Sequence, residues 1–218
     1  MFVFNFFKRK KNIVFIVRDY EVTSGFTNTI TTIAEELAKY AKVQIITPAF
    51  SYSKDPKGIG SNESIIKNKI ILHKVSSEHL SKDFVDNLFS DVNDELKQVL
   101  DYNYINMIFP LYKKLLHLNK KQKIDIVCAF APTSPHFFAL RDSKFRVVSI
   151  LATPFGFKKD GSFDKDSFFS RFDIEAMKHT KYVIADSHSI IEVCDRYYNG
   201  NIPQAKTIHL GLKDKNYK

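Results

Sequence analysis

The feature that most constrains the fold is a regular alternation of short apolar runs with amphipathic stretches. Residues 12–17 form a continuous, β-branched apolar run, which is typical of a strand buried on both faces. Residues 27–40 follow with apolar side chains at helical spacing, among them Ile30, Ala34 and Leu37 on one face. Because this unit recurs along the chain, the sequence predicts an α/β fold with a Rossmann-like, doubly wound parallel sheet flanked by helices.

The same pattern predicts the boundaries of the other strands and helices, and it predicts a single domain over residues 1–218. Strands are predicted at residues 42–47, 69–75, 124–130, 146–151, 182–187 and 207–211. Helices are predicted at residues 81–119 with a break near Pro110, 134–140 with Ser134 as the N-cap, 171–179 and 189–198. Pro48 is expected to end the second strand. Residues 51–68 are polar, contain glycine and proline, and are predicted to form a flexible loop.

Charge narrows the choice of partners. The formal net charge of the 218 residues is +9, which favours anionic partners, although a lysine-rich surface also serves solubility alone. Two basic clusters, residues 8–11 and 120–123, lie directly before predicted strands and not along a helix face, which argues against nucleic-acid binding. Residues 1–11 are apolar and then basic, the reverse of a secretory signal. This tip is expected either to pack or fray, or to contact an anionic membrane surface from the cytoplasmic side.

Several kinds of site are not indicated. Cys128 and Cys194 lack metal-ligand spacing and are expected to be reduced, structural thiols in a cytoplasmic protein. No metal is predicted, because the Asp-x-Asp spacing at residues 164–166 falls in a polar loop that we expect to be solvated. The glycines at 58 and 60 lack the strand–helix context of a dinucleotide site.

Ligands of such sheets bind outside the carboxyl ends of the strands. Ser24, Gly25 and Phe26 follow the first strand, and a glycine there allows close approach of a ligand to backbone N–H groups, or simply forms a turn before a helix capped by Thr27.

Later loops supply further candidates. His136 is predicted in the first turn of a helix facing the cleft, with packing as the alternative. Thr153 opens the long loop after the fifth strand. Ser187 and His188 follow the sixth, where Ser187 is also a candidate N-cap. Catalytic residues are not identified by any spacing.

In these elements the chain resembles the N-terminal domain of GT-B glycosyltransferases, especially the retaining group called family 4. The Asp-bearing strand at 124–128 and the Glu175 helix followed by a strand ending in Ala-Asp-Ser are both similar to family motifs. Further similarity lies at residues 13–17, 24–26, 34–38, 43–47 and 207–217.

The resemblance implies transfer of a sugar from a nucleotide-sugar donor to a glycan or lipid-linked acceptor, with retention, in synthesis of a cell-surface polysaccharide or glycan. The acceptor side is expected at Ser24, Gly25, Phe26, His136, Thr153, Ser187 and His188, and the interdomain cleft at Gly211 and Asp214. The nucleotide-sugar donor is expected to bind a C-terminal domain or partner subunit outside this chain, so no cofactor is assigned here and the isolated chain is expected to be inactive.

Three positions depart from the family pattern. Phe26 replaces a second loop glycine, Ala152 and Thr153 stand where many members place a cleft histidine, and Lys213 precedes Asp214 in the interdomain signature. Alanine cannot hydrogen-bond a sugar hydroxyl. A second hypothesis is therefore a non-catalytic sugar-binding or scaffold module of a split or degenerate enzyme. A third, a nucleotide-binding oxidoreductase, lacks the glycine fingerprint and has Thr47 where a ribose-binding acid would follow the second strand.

Overall fold

The sheet and its helices are described by a computed structural model for residues 10–18, 20, 25–49, 62–130, 135–154, 156–203 and 205–208. Within these residues eight strands form one sheet: β1 (Asn12–Ile16), β2 (Lys42–Pro48), β3 (Asn62–Ile66), β4 (Ile70–Val75), β5 (Ile126–Phe130), β6 (Val147–Ile150), β7 (Tyr182–Ala185) and β8 (Ala205–Thr207). The α-helices are α1 (Gly25–Leu37), α2 (Lys82–Leu88), α3 (Asp94–Gln98), α4 (Tyr102–Lys121), α5 (Phe137–Arg141), α6 (Phe168–Lys178) and α7 (His188–Tyr197).

The strand order is β3-β4-β2-β1-β5-β6-β7-β8, and every pair except β3–β4 is parallel. The predicted α/β architecture with a doubly wound parallel sheet is thus confirmed. Since the chain winds outward from β1 to β2 and β4, then returns to β5 on the other side of β1, the winding direction reverses between β1 and β5.

Strand β1 shows why the sheet lies between two helical layers. All five of its residues are buried. Ile13 and Phe15 pack in one cluster with Ile30 of α1, whereas Val14 and Ile16 pack in another with Leu111 and other residues of α4. The alternation of side chains along a strand therefore sends one set to each layer, as the uninterrupted apolar run predicted.

The prediction of one helix at residues 81–119 with a break near Pro110 is wrong. Helix α4 runs through Pro110, and the breaks lie earlier, between α2 and α3 and between α3 and α4. Asn93 and Asp101 begin the new helices, since their side chains accept hydrogen bonds from the backbone N–H of Leu96 and Tyr104.

Pro110 is tolerated because another segment uses the carbonyl that it leaves without a partner. A proline removes the helical hydrogen bond to the carbonyl four residues earlier, here that of Asn106. The N–H of Glu78 donates to this carbonyl at 3.1 Å, and the N–H of Leu80 donates to Asn106 Oδ1 at 3.1 Å. The segment before α2 thus compensates for the proline.

Three further predictions are corrected. Part of the predicted loop at 51–68 is strand β3, which pairs antiparallel with β4 through a tight turn where Asn68 and Lys69 have φ of 60° and 62°. Strand β2 extends one residue beyond the predicted 42–47, because Pro48 itself pairs with Val75, and it ends at Pro48. The last described strand, Ala205–Thr207, begins earlier than the strand predicted at 207–211, of which residues 209–211 lie outside the described part of the chain.

A row of polar side chains crosses the α4-facing side of the sheet on four neighbouring strands. We call Asn12, Gln44, His73 and Glu63 the polar ladder. Gln44 Nε2 donates to Asn12 Oδ1 at 2.9 Å, and His73 Nε2 lies 3.0 Å from Gln44 Oε1. His73 Nδ1 lies 3.0 Å from Glu63 Oε2.

The ladder has a defined protonation state at neutral pH. Burial, aided by the positive charge of Lys114, lowers the pKa of His73 to about 4. The imidazole is therefore neutral, and since an amide oxygen only accepts, Nε2 carries the proton and donates it to Gln44. Hydrogen bonds therefore compensate the burial of Asn12, Gln44 and His73 Nε2. They do not compensate Nδ1 of the neutral ring, because it faces the Glu63 carboxylate, which can only accept, and it has no hydrogen-bond partner among the described residues.

Candidate functional site

The candidate site lies at the carboxyl edge of the sheet. All seven parallel strands end there, and in sheets of this kind ligands bind beyond the strand ends where the winding direction reverses, here between β1 and β5. Strands β5, β6 and β7 are neighbours, and His136, Thr153 and Ser187 come after them in that order. The fold therefore brings three sequence-predicted segments to one edge.

His136 is the most deeply placed of the predicted residues. It is the residue before α5, it is 1% exposed, and its Nε2 lies 3.3 Å from Ser149 Oγ on β6. Burial lowers its pKa to about 3, so the ring is neutral at pH 7. Its Nδ1 has no hydrogen-bond partner among the described residues.

The position of His136 differs from the prediction. The helix begins at Phe137, two residues later than predicted, so His136 precedes it. The imidazole packs beneath the edge instead of standing in the first turn with its ring in an open cleft. The predicted N-cap, Ser134, lies outside the described residues.

Thr153 is exposed at the carboxyl edge, three residues beyond the end of β6. The preceding Ala152 is half-buried, and its carbonyl accepts a contact of 3.4 Å from Cys194 Sγ of α7. This contact holds the start of the loop against the neighbouring helix. Burial raises the pKa of Cys194 to about 12, so it remains a thiol and has no nucleophilic role at neutral pH.

Ser187 and His188 connect β7 to α7. Ser187 is the N-cap of α7, and its Oγ accepts a hydrogen bond from the N–H of Ile190 at 3.4 Å, as one of the two sequence interpretations predicted. His188 is the first helical residue and is exposed. A ligand at this edge would therefore meet the imidazole of His188 and the hydroxyl of Thr153 more readily than Ser187.

The remaining predicted residues are only partly described. Gly25 and Phe26 belong to the first turn of α1, so Thr27 lies within the helix and is not its cap. Ser24, Gly211 and Asp214 lie outside the described residues. Their predicted places in the cleft stay predictions.

Two residues at or near this edge were missed by the sequence analysis. Ser149 supports His136 from β6, and its alternation with apolar neighbours in that strand was the available signal. Arg18 follows β1 at the point of reversal and is half-buried. It places a basic residue at the carboxyl end of β1.

A second concavity lies away from this edge, with a volume of about 570 Å³. It is lined by Phe109, Phe138 and Lys144, among others. The guanidinium of Arg141 in its wall already binds both carboxylate oxygens of Asp91, at 2.5 and 2.6 Å, and the Leu88 carbonyl at 3.0 Å. The Arg141 guanidinium is therefore already bound to other groups of the protein and is not available to a ligand, so we do not place the functional site here.

Metal and membrane features were searched over the part of the chain that the structure describes. No cluster of three or more His, Cys, Asp or Glu side chains there could hold a metal ion. In the same residues no helix combines the length and apolar character needed to cross a bilayer.

No protein-family model matches this sequence, and no curated protein matches it either. Similarity is found among solved structures. Phytolacca americana UGT2, complexed with UDP-2-fluoro-glucose and pterostilbene, superposes with a TM-score of 0.58 at 8% identity, over 95% of this chain and 56% of that one.

Two other structures agree with this likeness. A sucrose-phosphate synthase chain from Thermosynechococcus elongatus gives a TM-score of 0.53 at 10% identity, over 92% of this chain and 90% of that one. UDP-glucose:anthocyanidin 3-O-glucosyltransferase in complex with UDP gives 0.51 at 14% identity, over 96% and 56%. At these identities the likeness shows the fold, which is that of a GT-B glycosyltransferase domain. The chain spans 56% of the length of UGT2 and of the anthocyanidin enzyme.

Proposed function

We propose that this chain is the acceptor-binding half of a retaining glycosyltransferase of the family 4 type. The observation that carries the proposal is the carboxyl edge: neighbouring strands of a glycosyltransferase fold present the hydroxyl of Thr153 and the imidazole of His188 on one exposed rim. Hydroxyl and imidazole groups both donate and accept hydrogen bonds, as the recognition of sugar hydroxyls requires.

Buried groups support this rim from below. His136 and Ser149 contact each other beneath the edge, and the Cys194 thiol contacts the Ala152 carbonyl. Such contacts hold the start of each loop in place, which lowers the entropic cost of ordering the site when an acceptor binds.

In this proposal the nucleotide-sugar donor binds mainly to a second domain or subunit. Transfer requires donor and acceptor to meet in one cleft, so the 218 residues alone are expected to bind acceptor without transferring sugar. The acceptor is a glycan or lipid-linked glycan used for a cell-surface polysaccharide, at the cytoplasmic face of a membrane.

A second candidate, a non-catalytic sugar-binding module, is favoured by Ala152. Its methyl group offers no hydrogen bond at the position where the resemblance leads us to expect a histidine, and its carbonyl is engaged by Cys194. Both candidates require acceptor binding and differ in whether chemistry follows.

Binding is tested by titrating the ¹⁵N-labelled chain with a panel of oligosaccharides and with UDP-glucose, following amide shifts by NMR. A glycan is expected to shift the amide signals of residues 151–153 and 186–190. Thr153→Val removes one hydroxyl at constant shape, and loss of one hydrogen bond should weaken binding about fivefold. The matched control, Ser143→Ala, removes an exposed hydroxyl that precedes β6 at the opposite edge and should change nothing.

The outcomes separate the hypotheses. Glycan shifts confined to another surface, or equal losses in the two variants, would refute an acceptor site at the carboxyl edge. For a glycan that does bind, transfer is then assayed with the complete enzyme that contains this chain. An α-linked product from an α-linked donor supports retention, whereas binding without transfer supports the non-catalytic module.

A further inference from the structure

The opposite, amino edge of the sheet carries an unusual charge pattern. Six neighbouring parallel strands are each entered through a basic residue, which we call the cationic row: Lys69 before β4, Lys42 opening β2, Lys11 before β1, Lys123 ahead of β5, Arg146 before β6 and Lys181 before β7. Parallel strands begin at the same edge, so these residues lie side by side. With neighbouring strands about 4.8 Å apart, the row extends over roughly 24 Å.

Direct contacts show that the members of the row adjoin. The N–H of Lys42 donates to the Lys11 carbonyl at 2.8 Å, and Lys42 Nζ donates to Gln122 Oε1 at 2.7 Å. Farther along, the N–H of Val127 donates to the Arg146 carbonyl at 2.9 Å. The charges are therefore attached to backbone that the sheet holds in one line.

Acidic residues neutralise only part of this edge. Lys11 lies 3.9 Å from Asp125. Three further lysines, which come shortly before β2, β6 and β7, pair with nearby carboxylates: Lys39 with Glu36, Lys144 with Asp142, and Lys178 with Glu175. Exposed cations at this edge that make no ion pair with another described residue include Lys69, Lys120, Lys121, Lys123, Arg146 and Lys181. A net positive, solvent-facing surface remains.

Aromatic side chains accompany the charge. Tyr40, just ahead of β2, is 72% exposed, and Tyr182, at the start of β7, is 50% exposed. Exposed rings beside lysines are typical of surfaces that meet lipid headgroups, where the ring is apolar and its hydroxyl stays wet.

We propose that the cationic row is a docking surface for an anionic lipid bilayer. Five of the six cations are lysines, whose compact charges attract a diffuse anionic surface without the bidentate geometry that arginine brings to individual phosphates. The linear array and the aromatic neighbours favour a bilayer over a nucleic acid. Docking here turns the carboxyl edge away from the bilayer, so of the two proposed acceptors it favours a soluble glycan over one linked to a lipid of the same membrane. The docking inference itself does not depend on the proposed sugar chemistry.

The test is cosedimentation of the full chain with vesicles of pure phosphatidylcholine and of phosphatidylcholine containing 30% phosphatidylglycerol. Binding is expected only to the anionic vesicles and should weaken as salt rises from 0.1 to 0.5 M. The triple variant Lys120→Gln, Lys121→Gln, Lys123→Gln removes three cations at this edge. At roughly fivefold per basic residue near the surface, affinity should fall roughly a hundredfold.

A matched triple variant removes the same charge elsewhere: Lys82→Gln, Lys158→Gln, Lys159→Gln, all exposed and outside the row. It should lose less than about fivefold, because screening limits the reach of exposed charges to about 10 Å. Equal losses in the two triple variants would show a net-charge effect and overturn the assignment. So would binding that persists in 1 M salt, or binding to single-stranded RNA with none to anionic vesicles.

Discussion

Protonation of His136 should make the fold sensitive to mild acid. Its pKa falls from an ordinary value of 6.5 to about 3 because the ring is fully buried. In the unfolded chain the same ring binds a proton as the pH drops below 6.5, while the folded protein stays neutral until near pH 3. The unfolded state therefore gains protons first, and stability present above pH 6.5 is lost as the pH falls.

The size of the effect follows from the width of this window. At pH 5 the unfolded pKa lies 1.5 units above the solution pH, and one unit corresponds to about 1.4 kcal/mol, so His136 should cost about 2 kcal/mol relative to pH 7.5. For a chain of 218 residues this corresponds to a fall of roughly 4–8 °C in Tm. It is a considerable part of a typical total stability of about 5–15 kcal/mol.

The assay is urea unfolding at pH 7.5, 6.0 and 5.0, where most carboxylates are still ionised. His136→Gln lowers stability at every pH through lost packing, but it should also remove about 2 kcal/mol from the pH-dependent loss. The matched control is His117→Gln on the exposed face of α4, which should leave the pH dependence unchanged. If His136→Gln keeps the wild-type pH dependence, or His117→Gln reduces it equally, burial of His136 is not the cause and the reasoning fails.

Two further predictions concern packing. A Cβ at Gly156 would lie 2.0 Å from the Asp164 carbonyl oxygen, so Gly156→Ala should lower the free energy of unfolding, measured in urea, by about 1–3 kcal/mol. The control is Gly161→Ala, where φ is +82° but no atom lies within 4 Å of the added Cβ. A loss at Gly156 no larger than the loss at Gly161 would contradict a steric cause. Arg141→Met removes the paired hydrogen bonds to Asp91 and should cost about 1–2 kcal/mol, with a coupling of about 0.5–1 kcal/mol in a double-mutant cycle; additive single mutants would show that the pair is energetically independent.

Elements that depend on residues close together in the sequence could be predicted, because the signal lies within a few neighbouring positions. Residues 13–16 of β1 are all apolar since both faces of the strand are covered, and Ser187 caps α7 through a contact three residues away. In contrast, β3 is a short edge strand of mixed polarity, so no continuous apolar run marks it in the sequence, although it pairs with β4 through a local turn. Likewise the continuity of α4 through Pro110 depends on Glu78, a residue 32 positions earlier that no local rule connects to it.

The candidate site follows the same division. The sequence identified which loops belong to the carboxyl edge, because parallel strands with intervening helices determine that edge. It did not indicate how deep each side chain lies. His136 is buried because α5 and Ser149 of β6 close around it, and Thr153 is exposed although both follow apolar strands in similar contexts.

The polar ladder has a consequence for how the chain finds its strand alignment. Apolar residues in buried parallel strands are nearly interchangeable, so a slip of one residue would cost little packing if every position were Val or Ile. A slip turns each side chain to the opposite face of the sheet. Gln44 and His73 would then be separated from Asn12 and from each other, leaving several dehydrated polar atoms among the helices. The ladder thus favours the native register during folding, because only one alignment of β1, β2 and β4 forms its hydrogen bonds.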